Sequence, residues 1–344
     1  MKKLRILMLV HETLVPPRDL RGLPDSAVDE CRTEYNVMST LANLHHEVEV
    51  LGVGDEIGPV RRAMAEFEPD IVFNLLEEFS GIVTYDHYVV AYLEMMRQPY
   101  TGCNPRGMMI SRDKFLTKQV LAYHRILTPA FHLFSARKGY KPPRRPEFPL
   151  IVKSTTDDAS LGISQASIVH DTTHLRERVQ FIHEQTRSDA IAEQFIEGRE
   201  LYIGVLGNER LKTFPVWELD FGTLSDVQTN IATRKVKWDS RYQKKHGIRT
   251  GAAKDLPPGM DSKLANLAKR IYRALHMSGY GRMDLRLGND GRVYVLEANA
   301  NPNLMWGEDF AESAESIGID YPPLLSRIVA LGLGYEPEWR MFGR

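Results

Sequence analysis

Apolar positions recur in two rhythms along this chain of 344 residues. Residues 4–10 (LRILMLV) are a short, nearly unbroken apolar run, the pattern of a strand buried on both faces, and 47–53 and 70–75 (DIVFNLL) read as a second and a third strand. A helical pattern over residues 28–44 separates the first two, and a shorter one separates the last two, so residues 1–100 predict a small doubly wound α/β unit. Residues 14–24 carry three prolines and form a loop off the C-terminal end of the first strand, where open α/β sheets bind ligands. After the break at residues 102–105 a helix is predicted over 112–127, stopped by Thr128-Pro129. Strands at 130–134, 149–153, 165–169 and 190–196 and a helix at 172–186 make an α+β unit. Two further strands between 200 and 219 meet at Gly207-Asn208. Residues 221–258 are polar and weakly periodic, a long loop of the kind that is commonly functional. A helix capped by Asp261 and closed by Gly279 carries Leu264, Leu267, Ile271 and Leu275 on one face, and a last helix spans about 322–331.

The second rhythm is strict alternation, and it is clearest at residues 280–297, which read as a β-hairpin around Gly288-Asn289-Asp290-Gly291. With Asn289-Asp290 as a two-residue loop, Leu287 pairs with Arg292 and Arg282 stands opposite Glu297. Arg282, Asp284, Glu297 and Asn299 then share one face, and Met283, Leu285, Tyr294 and Leu296 the other. Opposed side chains lie roughly 5 Å apart and diagonal ones roughly 7–8 Å. Asp284, Glu297 and Asn299 are thereby placed to share a hard cation such as Mg²⁺, which takes oxygen ligands at about 2 Å. The plainer alternative is a solvated face with one cross-strand ion pair. The polar run Asn299-Ala300-Asn301-Pro302-Asn303 that follows, with three amides, weighs against it.

Composition narrows the classes. Hydrophobic content of 43% with 26% charged residues is globular, and two or three domains suit the length. A net charge of −1 provides no general field for nucleic acid or an anionic membrane, so a phosphate ligand has to be held by local groups. Cys31 and Cys103 stand alone, which fits a reducing compartment. The basic, then apolar, start reads as a first strand and not as a signal peptide, and no run reaches the roughly 20 apolar residues of a membrane span. A cytoplasmic protein is expected.

Candidate chemistry lies elsewhere too. Lys153 ends a strand before a loop of small and hydroxyl residues, 154–162, and either cradles phosphate or is an exposed strand-end lysine. Lys114, in the first turn of its helix, has the same two readings. Glu193-Gln194-Phe195-Ile196 followed by Glu200 suits an adenine edge and a ribose. Gly52, Gly54 and Gly58 are spaced GxGxxxG after the second strand, which argues against nicotinamide binding. No nucleophile–base set, GxSxG or HExxH occurs.

These motifs together resemble the ATP-grasp fold, and within it the D-alanine–D-alanine ligases. GYGRMDLRL…GRVYVLEANANPN resembles the family's metal-binding hairpin, and SRDKFLTKQVL, LIVKSTTDDASLGIS, IAEQFIEGREL and KVKW extend the likeness over most of the chain from about Asp70. The resemblance implies three domains, at residues 1–102, 103–195 and 196–344, with nucleotide between the last two. It implies that Lys114, Lys153 and Ser160 hold ATP phosphates and that Glu193, Phe195 and Ile196 receive adenine. Glu200 would bind ribose, and Lys237, or else Lys235, would reach phosphate. Arg282 would stabilise an acyl phosphate, while Asp284, Glu297 and Asn299 would bind two Mg²⁺, with Mn²⁺ able to substitute. The expected activity is a carboxylate–amine ligase on small amino-acid or amine substrates, with a homodimer as the family expectation. Departures fall in the substrate pocket: His11-Glu12-Thr13 stands where the family has a glycine-rich stretch ending in an ammonium-binding glutamate, leaving Glu12 as its replacement. Asn303 stands where a glycine is usual, and Lys237-Trp238 replaces a lysine–tyrosine pair. The alternatives are a ligase of other amino acids or amines, and a nucleotide-binding protein without catalysis.

Overall fold

The computed structural model describes residues 2–21, 24–156, 164–222, 231–233, 236–237 and 239–337, with only the backbone described at residues 25–27, 165 and 240. Its strands form three sheets.

The first sheet is parallel, with β1 (Arg5–His11) between β2 (Glu47–Val53) and β3 (Ile71–Asn74). The unbroken apolar run of β1 is explained by burial: Ile6, Leu7, Met8, Leu9 and Val10 have no exposed surface. The expected 28–44 helix is two helices, α1 (Asp25–Glu30) and α2 (Arg32–Asn43), parted at Cys31. Helix α3 (Gly58–Phe67) links β2 to β3. Helices α4 (Asp86–Met95) and α5 (Pro105–Arg112) were not legible as separate elements; α5 opens on an Asn104 cap with proline in its first turn.

Helix α6 (Lys114–Tyr123) begins at Asp113, whose carboxylate accepts from the Phe115 and Leu116 amides at 2.9 Å. The second sheet orders β4 (Phe131–Phe134), β7 (Ala190–Gln194), β5 (Leu150–Ser154) and β6 (Ile168–Val169). Helix α7 (Thr172–Thr186) covers it with Leu175, Val179 and Ile182. The expected 165–169 strand is a 3₁₀ turn over Gln165–Ser167 and two strand residues.

The third sheet holds β8 (Gly198–Leu206), β9 (Lys212–Thr213), β10 (Trp217–Asp220), β11 (Arg249–Ala252), β12 (Tyr280–Gly288) and β13 (Val293–Asn299). Within the expected 221–258 loop, helix α8 (Ser240–His246) and β11 are ordered elements, α8 capped by Asp239. Helix α9 (Met260–Ala274) starts from Gly259, with Asp261 in its first turn and not at the cap. Its Leu264, Ala268 and Ile271 pack on the sheet's apolar face against Leu201, Ile203, Met283 and Leu285. Each large side chain so buried contributes roughly 2 kcal/mol. That helix fixes which face of the third sheet is left for chemistry. Helix α10 (Asp309–Glu315) and helix α11 (Tyr321–Leu333) follow, and α11 places Leu324, Leu325 and Ile328 in one core with Ile6, Met8 and Phe73.

Candidate functional site

The open face of the third sheet is a polar grid built by register. Along β12, Arg282, Asp284 and Arg286 point one way. Their partners on β13 are Asn299, Glu297 and Tyr294. On β8 they are Gly204, Tyr202 and Glu200. Gly204 is required for close packing, because a Cβ there would lie 2.5 Å from the Phe214 ring and 3.1 Å from Phe310.

The hairpin reaches this arrangement by a different route from the expected one. Leu287 pairs with Val293, not Arg292, so the loop is longer by a residue. Asn289 and Asp290 do not take positive φ; Gly291 does, at +73°, and its amide donates to the Gly288 carbonyl at 2.9 Å. That shift alone would send Glu297 to the apolar face. A bulge between the pairs Leu285–Val295 and Asp284–Glu297 absorbs Leu296 as an extra residue and restores the parity. Arg282 therefore faces Asn299 instead of Glu297, and the apolar side is Met283, Leu285 and Leu287 with Val293, Val295 and Ala298. Tyr294 and Leu296 do not belong to it.

Charges on the grid are closely matched. Arg282 donates from Nε and Nη2 to the two oxygens of Asp284 at 2.8 and 2.9 Å, and its Nη1 lies 3.9 Å from Asp309. Burial opposes its charge, yet these two acids hold its pKa above the usual arginine value. Burial also pushes the Asp284 carboxyl up, against the pull of Arg282 and Lys237. Tyr202 lies beneath both cations, its ring centroid 4.6 Å from the Arg282 guanidinium carbon and 5.8 Å from Lys237 Nζ. Lys114, 5% exposed, reaches across from α6 to Glu297 at 3.4 Å. It is no surface lysine.

A second charged group lies on the four-stranded sheet. Glu193 has no exposed surface and sits between Lys153 Nζ at 3.0 Å and Lys118 Nζ at 3.4 Å. Burial would raise the Glu193 carboxyl, but the two lysines win and hold it below the usual range. Beside it Phe195 packs with Ile151, Ile168 and Ile231 as an apolar wall. Glu200, 3% exposed, accepts from Tyr202 Oη at 2.8 Å and from Arg286 Nη2 at 2.8 Å.

Of the sequence candidates, the structure thus brings Lys114, Glu200, Lys237, Arg282, Asp284, Glu297 and Asn299 to one surface, and Lys153, Glu193 and Phe195 to an adjoining one. A Cβ built on Gly288 would lie 3.3 Å from Ile196, which puts Ile196 at the hairpin end. Glu12 is exposed and lies over Gly54 at the end of β2, so it is not gathered with the grid. The Asn303 side chain is occupied: its Oδ1 accepts from Thr33 Oγ1 at 3.0 Å and from the Met305 amide at 2.9 Å. Ser160, Lys235 and Trp238 lie outside the described residues. Missed in the sequence were Lys118, Tyr202, Arg286 and Asp309. Lys118 sits one helical turn after Lys114, and Arg286 continues the alternation of Arg282 and Asp284, so both carried a signal.

Two carboxylates and an amide oxygen fit a hard cation, and no group of three His, Cys, Asp or Glu side chains competes for that role among the described residues. Arg282 and Lys114 neutralise those carboxylates in this structure.

Comparison with known proteins bears on this arrangement. The family described as D-ala D-ala ligase C-terminus matches residues 120–330. An uncharacterized protein of Sinorhizobium fredii is 31% identical over 263 residues, spanning 75% of this chain and 73% of that protein. A D-alanine–D-alanine ligase of Bordetella petrii is 32% identical over 246 residues, 69% of each chain. The crystal structure of D-alanine–D-alanine ligase from Bacillus anthracis complexed with ATP superposes with a TM-score of 0.73 at 21% identity, covering 96% of this chain and 98% of that one. That likeness gives the fold, which is ATP-grasp.

Proposed function

The chain belongs to the D-alanine–D-alanine ligase family, and on that premise we propose that it joins a carboxylate to an amine at the expense of ATP. The observation that carries the proposal is the cross-strand grid: Arg282–Asn299 and Asp284–Glu297 side by side, with Lys114 and Lys237 above them. Nucleotide binding alone does not call for a metal-type donor set and an arginine beside it; transfer of a phosphoryl group does.

The nucleotide lies between the four-stranded and six-stranded sheets, with domains at 1–102, 103–195 and 196–344. The stretch from Glu193 to Ile196 receives adenine, with Phe195 and Ile196 flanking it, and Glu200 meets the ribose. Lys114, Lys153 and Lys237 hold phosphate oxygens. Asp284, Glu297 and Asn299 hold Mg²⁺, two ions in the fullest form, which when bound neutralise phosphate charge and orient the terminal phosphoryl group. A carboxylate oxygen of the first substrate attacks the γ-phosphorus, and the bond to the β-phosphate oxygen breaks to release ADP. The amine then attacks the acyl phosphate at its carbonyl carbon; the C–O bond breaks, phosphate departs and the amine loses a proton. Arg282, held in plane by Asp284, faces the negative charge that develops in both steps.

Substrates are small amino acids or amines. The occupied Asn303 and the outlying Glu12 favour a pair other than two D-alanines. Purified protein with ATP, Mg²⁺ and a panel of D- and L-amino acids, read by product mass, tests this. D-alanyl-D-alanine formed far above every other pair would refute the altered specificity. Glu297→Ala abolishes Mg-dependent ADP release; persistence of that release overturns the metal assignment.

A further inference from the structure

Glu200 is held at both carboxylate oxygens by buried neighbours. It and Arg286 are cross-strand partners, 3% and 4% exposed. Arg286 donates Nη2 to Glu200 Oε2 at 2.8 Å and Nη1 to the Gly198 carbonyl at 3.1 Å, and its guanidinium carbon lies 5.9 Å from the Phe195 ring centroid. One side chain thus touches the carboxylate, the first residue of β8 and the apolar wall. Tyr202 Oη holds the other oxygen, Oε1, at 2.8 Å.

An ionised carboxylate has about four lone-pair sites. Each Glu200 oxygen accepts one of these side-chain donors, which leaves one site per oxygen. Two acceptor sites on one rigid carboxylate match the two hydroxyls of a vicinal diol. We infer that Arg286 is a positioning residue for the nucleotide: with Nη1 anchored on the Gly198 carbonyl, its Nη2 pins Glu200 Oε2 while Tyr202 pins Oε1, so that both remaining sites meet the 2′- and 3′-hydroxyls of a ribose. This rests on the proposed reading in which Glu200 faces ATP. A lysine cannot reproduce it, because its ammonium lacks the second, rigidly spaced donor that anchors the guanidinium on Gly198.

The test is nucleotide binding by calorimetry, which does not depend on ligase turnover. Dissociation constants are measured for ATP and 2′-deoxy-ATP with the wild type, Arg286→Lys and Arg286→Met, alongside thermal melts. The wild type is expected to prefer ATP by about tenfold, the size of one hydrogen bond to a charged acceptor. Arg286→Lys loses most of that ratio while still melting cooperatively, and Arg286→Met loses all of it. An unchanged ratio in a folded Arg286→Lys variant would overturn the inference and leave Arg286 as a pin between strands. Equal binding of the two nucleotides by the wild type would overturn it as well. Loss of the ratio in a protein that forms no amide product sinks the proposed reaction but supports the role of Arg286.

Discussion

Replacing Glu193 by glutamine tests how the four-stranded sheet carries its charge. At an effective dielectric near 20, unit charges 3.4 and 3.0 Å apart attract by about 5 kcal/mol each before desolvation is counted. The net effect of removing one member of a buried pair is smaller, about 3–5 kcal/mol, because the stranded charge escapes by neutralising or reaching water. Lys153 is 12% exposed at its side chain and can reach solvent, whereas Lys118 at 2% cannot. The deficit therefore comes mainly from Lys118, and about 3 kcal/mol is expected at pH 7. Chemical denaturation of Glu193→Gln and wild type measures it. The sign with pH follows from the same group: burial lowers the Lys118 pKa, so a folded state holding neutral lysine gains stability as pH rises toward the unfolded lysine value. The Glu193→Gln deficit should shrink between pH 7 and 10. A double change to Glu193→Leu and Lys118→Met should recover most of it. A deficit below about 0.5 kcal/mol at pH 7, or one that grows with pH, would refute the buried-charge reasoning.

Three other outcomes follow from the geometry. Burial, together with Glu77, raises the Glu34 carboxyl from 4.5 to about 7. A raised carboxyl favours the fold while protonated, so it costs stability as pH climbs from 4.5 through 7; Glu34→Gln should match wild type at pH 4 and exceed it by about 3 kcal/mol at pH 8 in denaturation. Deleting Leu296 removes the bulge and leaves Glu297 directly after Val295, still opposite Asp284, so Mg-dependent ADP formation should persist; its loss in a variant that keeps its circular dichroism would refute the reading of Leu296 as a surplus residue. Gly204→Ala forces a Cβ against Phe214 and Phe310 and should lower stability by about 1–3 kcal/mol, read from the melting curve.

Much of the fold was legible where periodicity was strong. The apolar runs gave the parallel sheet, residues 172–186 are helical as expected, and alternation along β12 gave Arg282 and Asp284 one face. What stayed hidden depends on contacts distant in sequence. The hairpin parity survived because the longer loop and the Leu296 bulge cancel, and neither follows from local spacing. Lys118 reads as any helical lysine until Glu193, 75 positions on, is placed beside it. Glu12 fits the sequence argument by proximity to β1, but its side chain lies over Gly54. The order within residues 221–258 depends on packing: Val236 and Ile248 are buried with Tyr202 and Trp217 of the neighbouring strands.

The polar grid is suited to transfer of the ATP γ-phosphoryl group to a carboxylate. Isotope transfer measures that step. A carboxylate substrate labelled with ¹⁸O is turned over with ATP and Mg²⁺, and the inorganic phosphate is analysed by mass. An acyl phosphate predicts one labelled oxygen in each phosphate formed, with the label lost together with product in Arg282→Met. ADP and amide appearing in equal amounts with unlabelled phosphate would contradict the account.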